Sequence, residues 1–316
     1  MEDSCPVCRA PSTEPYSLTG RDLLNGTPGT FHVVVCEDCG AGRTLPEVTD
    51  DELAAYYPDS YQAYALPSGL AGLVARAWGR FRLRFVLRRH PLRALAALPP
   101  GVVLDVGCGR GDLGAALIER GWRTVGVEPS EAACGVAARR GLDVRHGTLG
   151  SVVLEDELFD AAVMSHSLEH MNDPRAALEC VFRTLRPGGL VLVSLPNFAS
   201  WQRERFGPAW FALDLPRHRV HYTPTSLRTA LASAGFDVLS LRSANDSWTL
   251  LGSLQYRAAG RLVLGRGFAL RLGFAVAALL SPVSRILDLM RGQPALLHAV
   301  AVRPATGAER VDHALG

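Results

Sequence analysis

A chain of 316 residues can hold one large domain and an appendage, and a hydrophobic share of 48% is ample for a buried core. The formal net charge of +2 is near neutral, which argues against the global basic surface typical of nucleic-acid-binding proteins. Residues 1–5 are acidic and polar, unlike a signal peptide, so the seven cysteines are expected to stay reduced in the cytoplasm.

Two C-x-x-C pairs lie near the start of the chain: Cys5 with Cys8, and Cys36 with Cys39. Four thiolates at this spacing can surround a metal ion tetrahedrally, so the pairs predict a structural Zn²⁺ site. The apolar run 31–35 predicts a strand leading into the second pair, as in a zinc ribbon over residues 1–48. The alternative is a redox dithiol, but one pair would suffice for that and no thioredoxin-like unit surrounds either pair.

Residues 49–98 predict a helical linker or cap. From Leu70 to Leu98 apolar side chains recur at helical spacing, and arginines occupy most of the other positions. Such a basic amphipathic helix can lie on an anionic membrane or bind RNA. The favoured interpretation is that it covers the main domain with its apolar face and leaves its arginines in water.

The apolar run 102–106 predicts a parallel strand that is buried on both faces. It ends in a turn of three alternating glycines: Gly107, Gly109 and Gly111. Asp105 and Asp112 flank this turn, and Glu128 ends the next predicted strand. Two flanking carboxylates suit a cationic or zwitterionic ligand better than the pyrophosphate of a dinucleotide, and Glu128 can accept both hydroxyls of a ribose.

Further motifs follow along the chain: Leu168-Glu169-His170, residues 185–189, Leu215–His218 and His221–Pro224. Residues 185–189 predict a turn, and the apolar run 190–195 after it predicts the fifth strand. Together with the glycine turn these motifs resemble the ubiquinone-biosynthesis-type class I S-adenosylmethionine (SAM) methyltransferases over about residues 101–238. The cysteine pairs resemble the zinc-binding front end of bacterial sugar and natural-product methyltransferases. The resemblance implies an α/β, Rossmann-like sheet of seven strands in the order 3-2-1-4-5-7-6, with an antiparallel last strand.

The resemblance implies SAM as the cofactor. The expected contacts lie in the glycine turn and at the carboxyl ends of the strands: Asp105, Gly107, Cys108, Gly109, Gly111, Glu128, Pro129, Thr148, Leu149 and Ser165. Many relatives carry an acid that meets the adenine amino group where this chain has Thr148. Ser165-His166-Ser167-Leu168 does not resemble the Asn/Asp-Pro-Pro-aromatic motif of enzymes that methylate base amines, which disfavours that reaction.

The SAM-binding core is predicted to span residues 99–246, followed by a helical insertion (247–294), the last strand (295–305) and a tail (306–316). The apolar centre of the insertion, 272–282, is too short to span a membrane. It predicts a lid over the acceptor pocket, a dimer surface or a peripheral membrane contact, of which the first two are favoured.

A hydroxyl or carbon-acid acceptor needs a base with a pKa near neutrality, and four histidines lie in plausible loops: His166, His170, His218 and His221. His170 can equally orient its loop by hydrogen bonding. The aromatic segment 201–222 leaves the fifth strand at its carboxyl end, which favours a role in binding the acceptor over plain surface packing.

We therefore expect a SAM-dependent methyltransferase of secondary metabolism that is cytoplasmic, with peripheral membrane contact as the alternative, and that is a monomer or homodimer. Its expected acceptor is a small-molecule or lipid-linked metabolite, methylated on a hydroxyl or, less favoured, on a sugar carbon. One alternative is an RNA methyltransferase with a zinc module, which the near-neutral charge disfavours. The other is a SAM-binding protein without turnover.

Overall fold

Eleven strands and seven helices make up the computed structural model, which describes residues 4–11, 16–49, 52–53, 55–57, 91–264 and 267–305. The strands are β1 (Tyr16–Gly20), β2 (Phe31–Val35), β3 (Gly42–Leu45), β4 (Val102–Val106), β5 (Arg123–Glu128), β6 (Asp143–His146), β7 (Phe159–Ser165), β8 (Leu185–Pro196), β9 (Val220–His221), β10 (Asp237–Ala244) and β11 (Leu296–Val302). The helices are α1 (Asp112–Ile118), α2 (Glu131–Ala138), α3 (Pro174–Thr184), α4 (Trp201–Phe206), α5 (Pro224–Ser233), α6 (Ser247–Ala259) and α7 (Gly267–Arg291).

Seven strands form the central sheet in the order β10-β11-β8-β7-β4-β5-β6. Strands β6, β5, β4, β7 and β8 run parallel, whereas β11 is antiparallel to both β8 and β10. Counted within this sheet, the order is the predicted 3-2-1-4-5-7-6, so the fold prediction is confirmed. Neighbouring residues of the central strand β4, Val103 and Leu104, are both fully buried, because helices cover the two faces of the sheet.

The two faces of the sheet have separate apolar layers. Helices α3 and α5 pack on one face, through residues such as Leu178 and Leu231. Helix α1 and a short 3₁₀ helix, Leu92–Ala97, pack on the other, through Leu117 and Leu95. The parallel strands therefore expose their carboxyl ends at one edge, which is where ligands bind in such sheets.

Strand β8 begins earlier than the sequence predicts. Residues 185–189 are predicted as a turn before the strand, but β8 starts at Leu185. The Gly188 amide donates to the Arg303 carbonyl, and the Arg303 amide donates to the Gly189 carbonyl. The prediction of a turn is wrong because Arg303, which follows β11, supplies backbone hydrogen-bond partners that the local sequence does not show.

A second, antiparallel sheet holds the N-terminal segment against the main domain, in the order β1-β2-β3-β9. Its fourth strand, β9, comes from the segment after the central strand β8 and pairs with β3 through Gly42 and His221. The Thr44 amide donates to the Arg219 carbonyl, which extends this pairing. The N-terminal segment therefore shares its sheet with the main domain.

The aromatic segment 201–222 packs between these two sheets. Trp210 and Tyr222 are almost fully buried, and Trp210 and Leu215 share an apolar cluster with Phe31 and Val33 of β2. Most of this segment therefore joins the N-terminal sheet to the domain by packing.

An ion cluster centred on a fully buried arginine reinforces the same junction. The Arg217 guanidinium lies 2.7 Å from Asp22 of the N-terminal segment and 2.7 Å from Asp214. It also donates to the Tyr56 carbonyl at 3.0 Å. The side chains of Arg217 and Asp22 have no exposed surface, so each charge depends on the others for its stabilisation.

The predicted helical insertion is formed by α6 and α7, between β10 and β11. Helix α7 has 25 residues and contains Pro282, so it is longer than the predicted apolar centre, 272–282. Within the described ranges it is the one helix long and apolar enough, by length and composition, to cross a membrane, and 22% of its apolar window is buried. A proline disfavours helical backbone at the residue before it. Helix α7 nevertheless continues through Pro282, because packing on the domain outweighs this preference.

Two predicted segments fall largely outside the described residues. Of the linker 49–98, the amphipathic stretch from Leu70 to residue 90 is not described, and Leu92–Ala97 is a 3₁₀ helix rather than the end of an α-helix. The tail 306–316 is not described either.

The buried ion cluster gives a first prediction. Replacing Arg217 by Met leaves the carboxylates of Asp22 and Asp214 without their cation, so the free energy of unfolding should fall by about 3–5 kcal/mol. Equilibrium denaturation measures this change. The matched control is Arg186→Met, because Arg186 pairs with Asp160 at 2.7 Å on a half-exposed surface, and its loss should amount to less than about 1 kcal/mol. Equal stability of the two variants would contradict the structural role of Arg217.

Candidate functional site

The glycine turn after β4 has a backbone that other residues rarely adopt. Gly107 and Gly109 have φ angles of 71° and 52°. A Cβ added to Gly107 would lie 2.9 Å from the Cβ of Ser167, so the turn packs closely against the loop after β7. A Cβ added to Gly109 would meet nothing within 4 Å. The turn therefore presents open backbone at the carboxyl edge of the sheet.

Glu128 holds this turn in place. One carboxylate oxygen accepts the Gly109 amide and the other accepts the Ser130 amide, both at 2.9 Å. The side chain is 4% exposed. Because each carboxylate oxygen has a second lone pair, Glu128 can still accept hydroxyl groups from a ligand.

Asp105 has a buried oxygen that lacks a partner. The residue is 3% exposed, and its Oδ2 has no hydrogen-bond partner among the described residues. Burial, and then the charge of Glu128, raise the pKa of Asp105 to about 7. An unpaired buried carboxylate is unfavourable, so the position favours a ligand that brings positive charge or hydrogen-bond donors.

Asp112, the second predicted flanking acid, is already paired. Its carboxylate contacts the guanidinium of Arg140, and Arg110 lies 3.2 Å away. Although desolvation opposes ionisation, these arginines lower the pKa of Asp112. Two arginines therefore already compensate the charge of Asp112, and its part in ligand binding stays a prediction.

The other predicted cofactor residues lie along the same edge. Gly111 caps the start of α1 with a left-handed backbone. Cys108 points its thiol toward Gly126 rather than outward, so its backbone is what faces the edge. Pro129 is exposed after β5, while Thr148 and Leu149 follow β6, where the Thr148 amide donates to Ser151. Ser165 is exposed at the end of β7.

His166 is the predicted histidine that faces solvent at this edge. Its side chain is 49% exposed, and its Nδ1 lies 3.3 Å from Oε1 of Glu169. Its backbone has a φ of 53°, which is uncommon for a residue other than glycine and marks a constrained position. Desolvation lowers the pKa of His166, but the Glu169 carboxylate outweighs it and raises the pKa above the ordinary 6.5.

Glu169 is a buried carboxylate surrounded by imidazoles. It is 1% exposed, and neither oxygen has a well-oriented hydrogen bond within the described part of the chain. Burial opposes ionisation, yet His166, His170 and His218 hold the pKa of Glu169 at about 2. Ligand atoms of Glu169, His170 and His218 lie within 4.8 Å of one another, so these three could hold a cation.

The remaining predicted histidines are buried or, for His170, half-buried. His170 Nδ1 contacts the Arg217 carbonyl at 3.0 Å and the Tyr57 hydroxyl at 3.1 Å. His218 contacts the Ala212 carbonyl through Nδ1. Burial, and then the charge of His218, lower the pKa of His170 to about 4 and that of His221 to about 3. His170, His218 and His221 therefore make the contacts of packed side chains, whereas the side chain of His166 is accessible to a ligand.

The four predicted metal-binding cysteines come together as one cluster. Cys5 Sγ lies 3.6 Å from Cys39 Sγ, and Cys8 Sγ lies 3.5 Å from Cys36 Sγ. All four sulfurs are within 4.8 Å of one another, and none forms a disulfide. Sulfurs at these distances fit around one tetrahedral ion with metal–sulfur bonds of about 2.3 Å.

Several residues that shape the site escape sequence reasoning. Ser167 lies against the glycine turn, and its hydroxyl is buried without a partner among the described residues. Asp22 pairs with Arg217, which lies 195 residues later in the chain, and the Arg217 carbonyl contacts His170 of the site. The pairing of His166 with Glu169 was visible as an i, i+3 spacing in a short loop, but its importance depends on the burial of Glu169.

The amino-acid sequence is similar to those of known methyltransferases. A family model described as a methyltransferase domain matches residues 76–241. A malonyl-[acyl-carrier protein] O-methyltransferase of Serratia marcescens is 31% identical over 220 residues, covering 66% of this chain and 86% of that protein. A ubiquinone biosynthesis O-methyltransferase of Hahella chejuensis is 32% identical over 160 residues, covering 46% of this chain and 67% of that protein.

Solved structures include a similar chain. It is described as a SAM-dependent methyltransferase, possible histamine N-methyltransferase, from Thermotoga maritima. It is 21% identical, covers 73% of this chain and 96% of its own, and has a TM-score of 0.47.

Proposed function

Because this chain belongs to the class I SAM-dependent methyltransferases, we propose that it transfers a methyl group to a hydroxyl oxygen of a small-molecule or lipid-linked acceptor. The observation that carries the proposal is the exposed imidazole of His166, backed by the buried carboxylate of Glu169 at 3.3 Å. This pair lies in the loop that packs on the glycine turn through Ser167. A base beside the cofactor site is what a neutral hydroxyl acceptor requires.

The residues at the sheet edge fit SAM. The unpartnered Asp105 oxygen can accept from an ammonium group, and Glu128 can accept ribose hydroxyls while it keeps the glycine turn in place. Thr148 and Leu149 follow β6 in a position to border the adenine. When bound, SAM supplies an electrophilic methyl group on a sulfonium sulfur.

The chain's own residues account for the rest of the reaction. Since Nδ1 of His166 faces Glu169, Nε2 is available to take the proton of the acceptor hydroxyl. The bound donor would supply the methyl carbon to the acceptor oxygen, with its carbon–sulfur bond broken and the electron pair kept by the sulfur. Glu169 orients the imidazole and stabilises its charged form, as a carboxylate does behind a catalytic histidine.

The presence of a base also distinguishes hydroxyl acceptors from carboxylate acceptors. A carboxylate such as the malonyl group is already ionised at neutral pH and needs no proton removal, whereas a phenolic hydroxyl has a pKa near 10. The His166–Glu169 pair therefore favours a hydroxyl, as in a ubiquinone precursor, over a carboxyl group. The discriminating experiment measures S-adenosylhomocysteine formation with a catechol probe and with malonyl-acyl carrier protein. Turnover restricted to the malonyl probe would contradict the choice of a hydroxyl.

We also propose that Cys5, Cys8, Cys36 and Cys39 hold one structural Zn²⁺. The cluster lies in the same apolar core as Val220 and Tyr222, so the metal would stabilise the junction between the two sheets. Four thiolate ligands leave no open position for catalysis. A cytoplasmic location, which keeps such thiols reduced, belongs to the same proposal.

The cofactor assignment predicts the effect of Glu128→Ala. Loss of the carboxylate removes its bonds to the Gly109 and Ser130 amides and its contacts with the ribose. Charge-assisted hydrogen bonds are each worth about 1.5–3 kcal/mol, so SAM affinity should fall about 100-fold or more. Isothermal calorimetry with SAM measures this, and Glu179→Ala, which removes an exposed carboxylate on α3, is the control. Unchanged affinity in Glu128→Ala would remove Glu128 from the site.

The proton-transfer role predicts a pH dependence. Only the neutral imidazole accepts a proton, so kcat/KM should rise with pH through an inflection above 6.5. His166→Asn should lower kcat by about 10²–10⁴ and abolish the inflection. Glu169→Gln should move the inflection to lower pH, because only the weaker influence of Asp246 then opposes the desolvation of the imidazole. His32→Asn, in the N-terminal sheet, is the control, and an unchanged pH profile in His166→Asn would exclude His166 as the base.

The zinc assignment predicts one Zn²⁺ per chain by elemental analysis. Cys36→Ser should lose the metal and lower the midpoint of thermal unfolding, because the junction between the sheets then lacks its crosslink. Cys134→Ser, outside the cluster, should keep both the metal and the midpoint. A reduced wild-type protein that is folded and free of metal would refute the assignment.

A further inference from the structure

Helix α7 has an inverted distribution of side chains. The most deeply buried positions of its inner face, which packs on the protein, are small or polar residues: Gly273, Ala277, Ser284 and Asp288. A Cβ on Gly273 would lie 3.0 Å from the Trp248 ring, so a small residue is needed for close packing on α6. In a helix that covers a soluble core, the large apolar residues would be on this inner face.

Most of the large apolar residues of α7 instead face outward. Six of them are exposed to between 51% and 85%: Leu272, Leu279, Val283, Ile286, Leu289 and Met290. Phe274 stacks on Trp248 of α6, and Leu287 packs on the domain. Contiguous apolar surface of this kind marks a contact with another apolar phase.

The charges around this surface have one sign. Residues 247–291 contain six arginines, and their single acid is Asp288. Asp288 is buried and accepts from the Trp201 indole at 2.6 Å and from Asn245 at 2.7 Å. Arg257, Arg285 and Arg291 are exposed, so the α6–α7 hairpin presents apolar side chains together with positive charge alone.

We propose that the α6–α7 hairpin binds the surface of an anionic lipid bilayer, with the outer face of α7 in the boundary between headgroups and acyl chains. Arginines next to an apolar helical face match this boundary, because headgroup phosphates pair with guanidinium while the acyl region takes the leucines. The bonds from Trp201 and Asn245 to Asp288 hold α7 along the domain, so the helix lies in the plane of the membrane and does not cross it.

Charge argues against a second copy of the chain as the occupant. Two hairpins packed through α7 would bring arginines together, with no carboxylate on either outer face to offset them. An anionic bilayer supplies that missing negative charge. The proposal is independent of methyl transfer, since binding is measured without donor or acceptor.

The test uses the full-length protein and flotation with vesicles of phosphatidylcholine, with or without phosphatidylglycerol. The protein should float with the anionic vesicles, bind neutral vesicles at least about tenfold more weakly, and dissociate partly as salt screens the charges. Equal binding to both vesicle types, or no binding to either, would overturn the proposal.

Paired variants identify the surface. Leu279→Glu with Ile286→Glu should reduce binding to anionic vesicles about tenfold or more, because both side chains are exposed and would place charge in the acyl region. Arg285→Gln with Arg291→Gln should reduce the preference for anionic lipid. Val153→Glu, at a residue 90% exposed elsewhere, should bind as the unaltered protein does.

Sedimentation velocity without vesicles distinguishes the competing occupant. The Leu279→Glu, Ile286→Glu variant should keep the sedimentation coefficient of the unaltered protein. A dimer that this variant dissociates would assign the surface to a second copy and refute the lipid proposal.

Discussion

A guanidinium without access to water holds the two sheets of this protein together. Arg217 remains charged in that position because Asp22 and Asp214 lie against it, and desolvation makes each of the three depend on the others. The Arg217 carbonyl contacts Nδ1 of His170, and the Arg219 amide donates to the Glu169 carbonyl. The loop that carries His166 is therefore supported from behind by a segment whose position the ion cluster determines.

Opposite electrostatic patterns distinguish the cofactor edge from the helical insertion. At the sheet edge, Asp105 and Glu128 are buried close enough that Glu128 contributes to the raised pKa of Asp105. A ligand that carries positive charge relieves this repulsion. The α6–α7 hairpin instead carries arginines on an apolar surface. The near-neutral net charge of the chain conceals both patterns, because it sums an acidic site and a basic surface.

Local sequence predicted those features that depend on neighbours in the chain. The apolar run before Gly107, the alternating glycines and Glu128 at the end of the next strand predicted the turn and its carboxylate. The cysteine pairs predicted a cluster that the structure brings together. A prediction was wrong where a distant partner decides, because Arg303 extends β8 into a predicted turn. The pairing of Asp112 with Arg140 is likewise a distant contact that local sequence does not show.

The amino-acid sequence by itself determined the buried parallel strands and the edge of the sheet where ligands bind, because such strands and their glycine-rich ends have local patterns. The strand order followed from the resemblance of its motifs to a known family. Only the tertiary structure decided which histidine faces that edge. His166 and His170 lie four residues apart and are both candidates by sequence. In the structure the His166 side chain is exposed on a left-handed backbone, whereas His170 contacts the 214–219 segment. The outward face of α7 was likewise decided by packing, since helical periodicity shows that a helix has faces but not which face the protein covers.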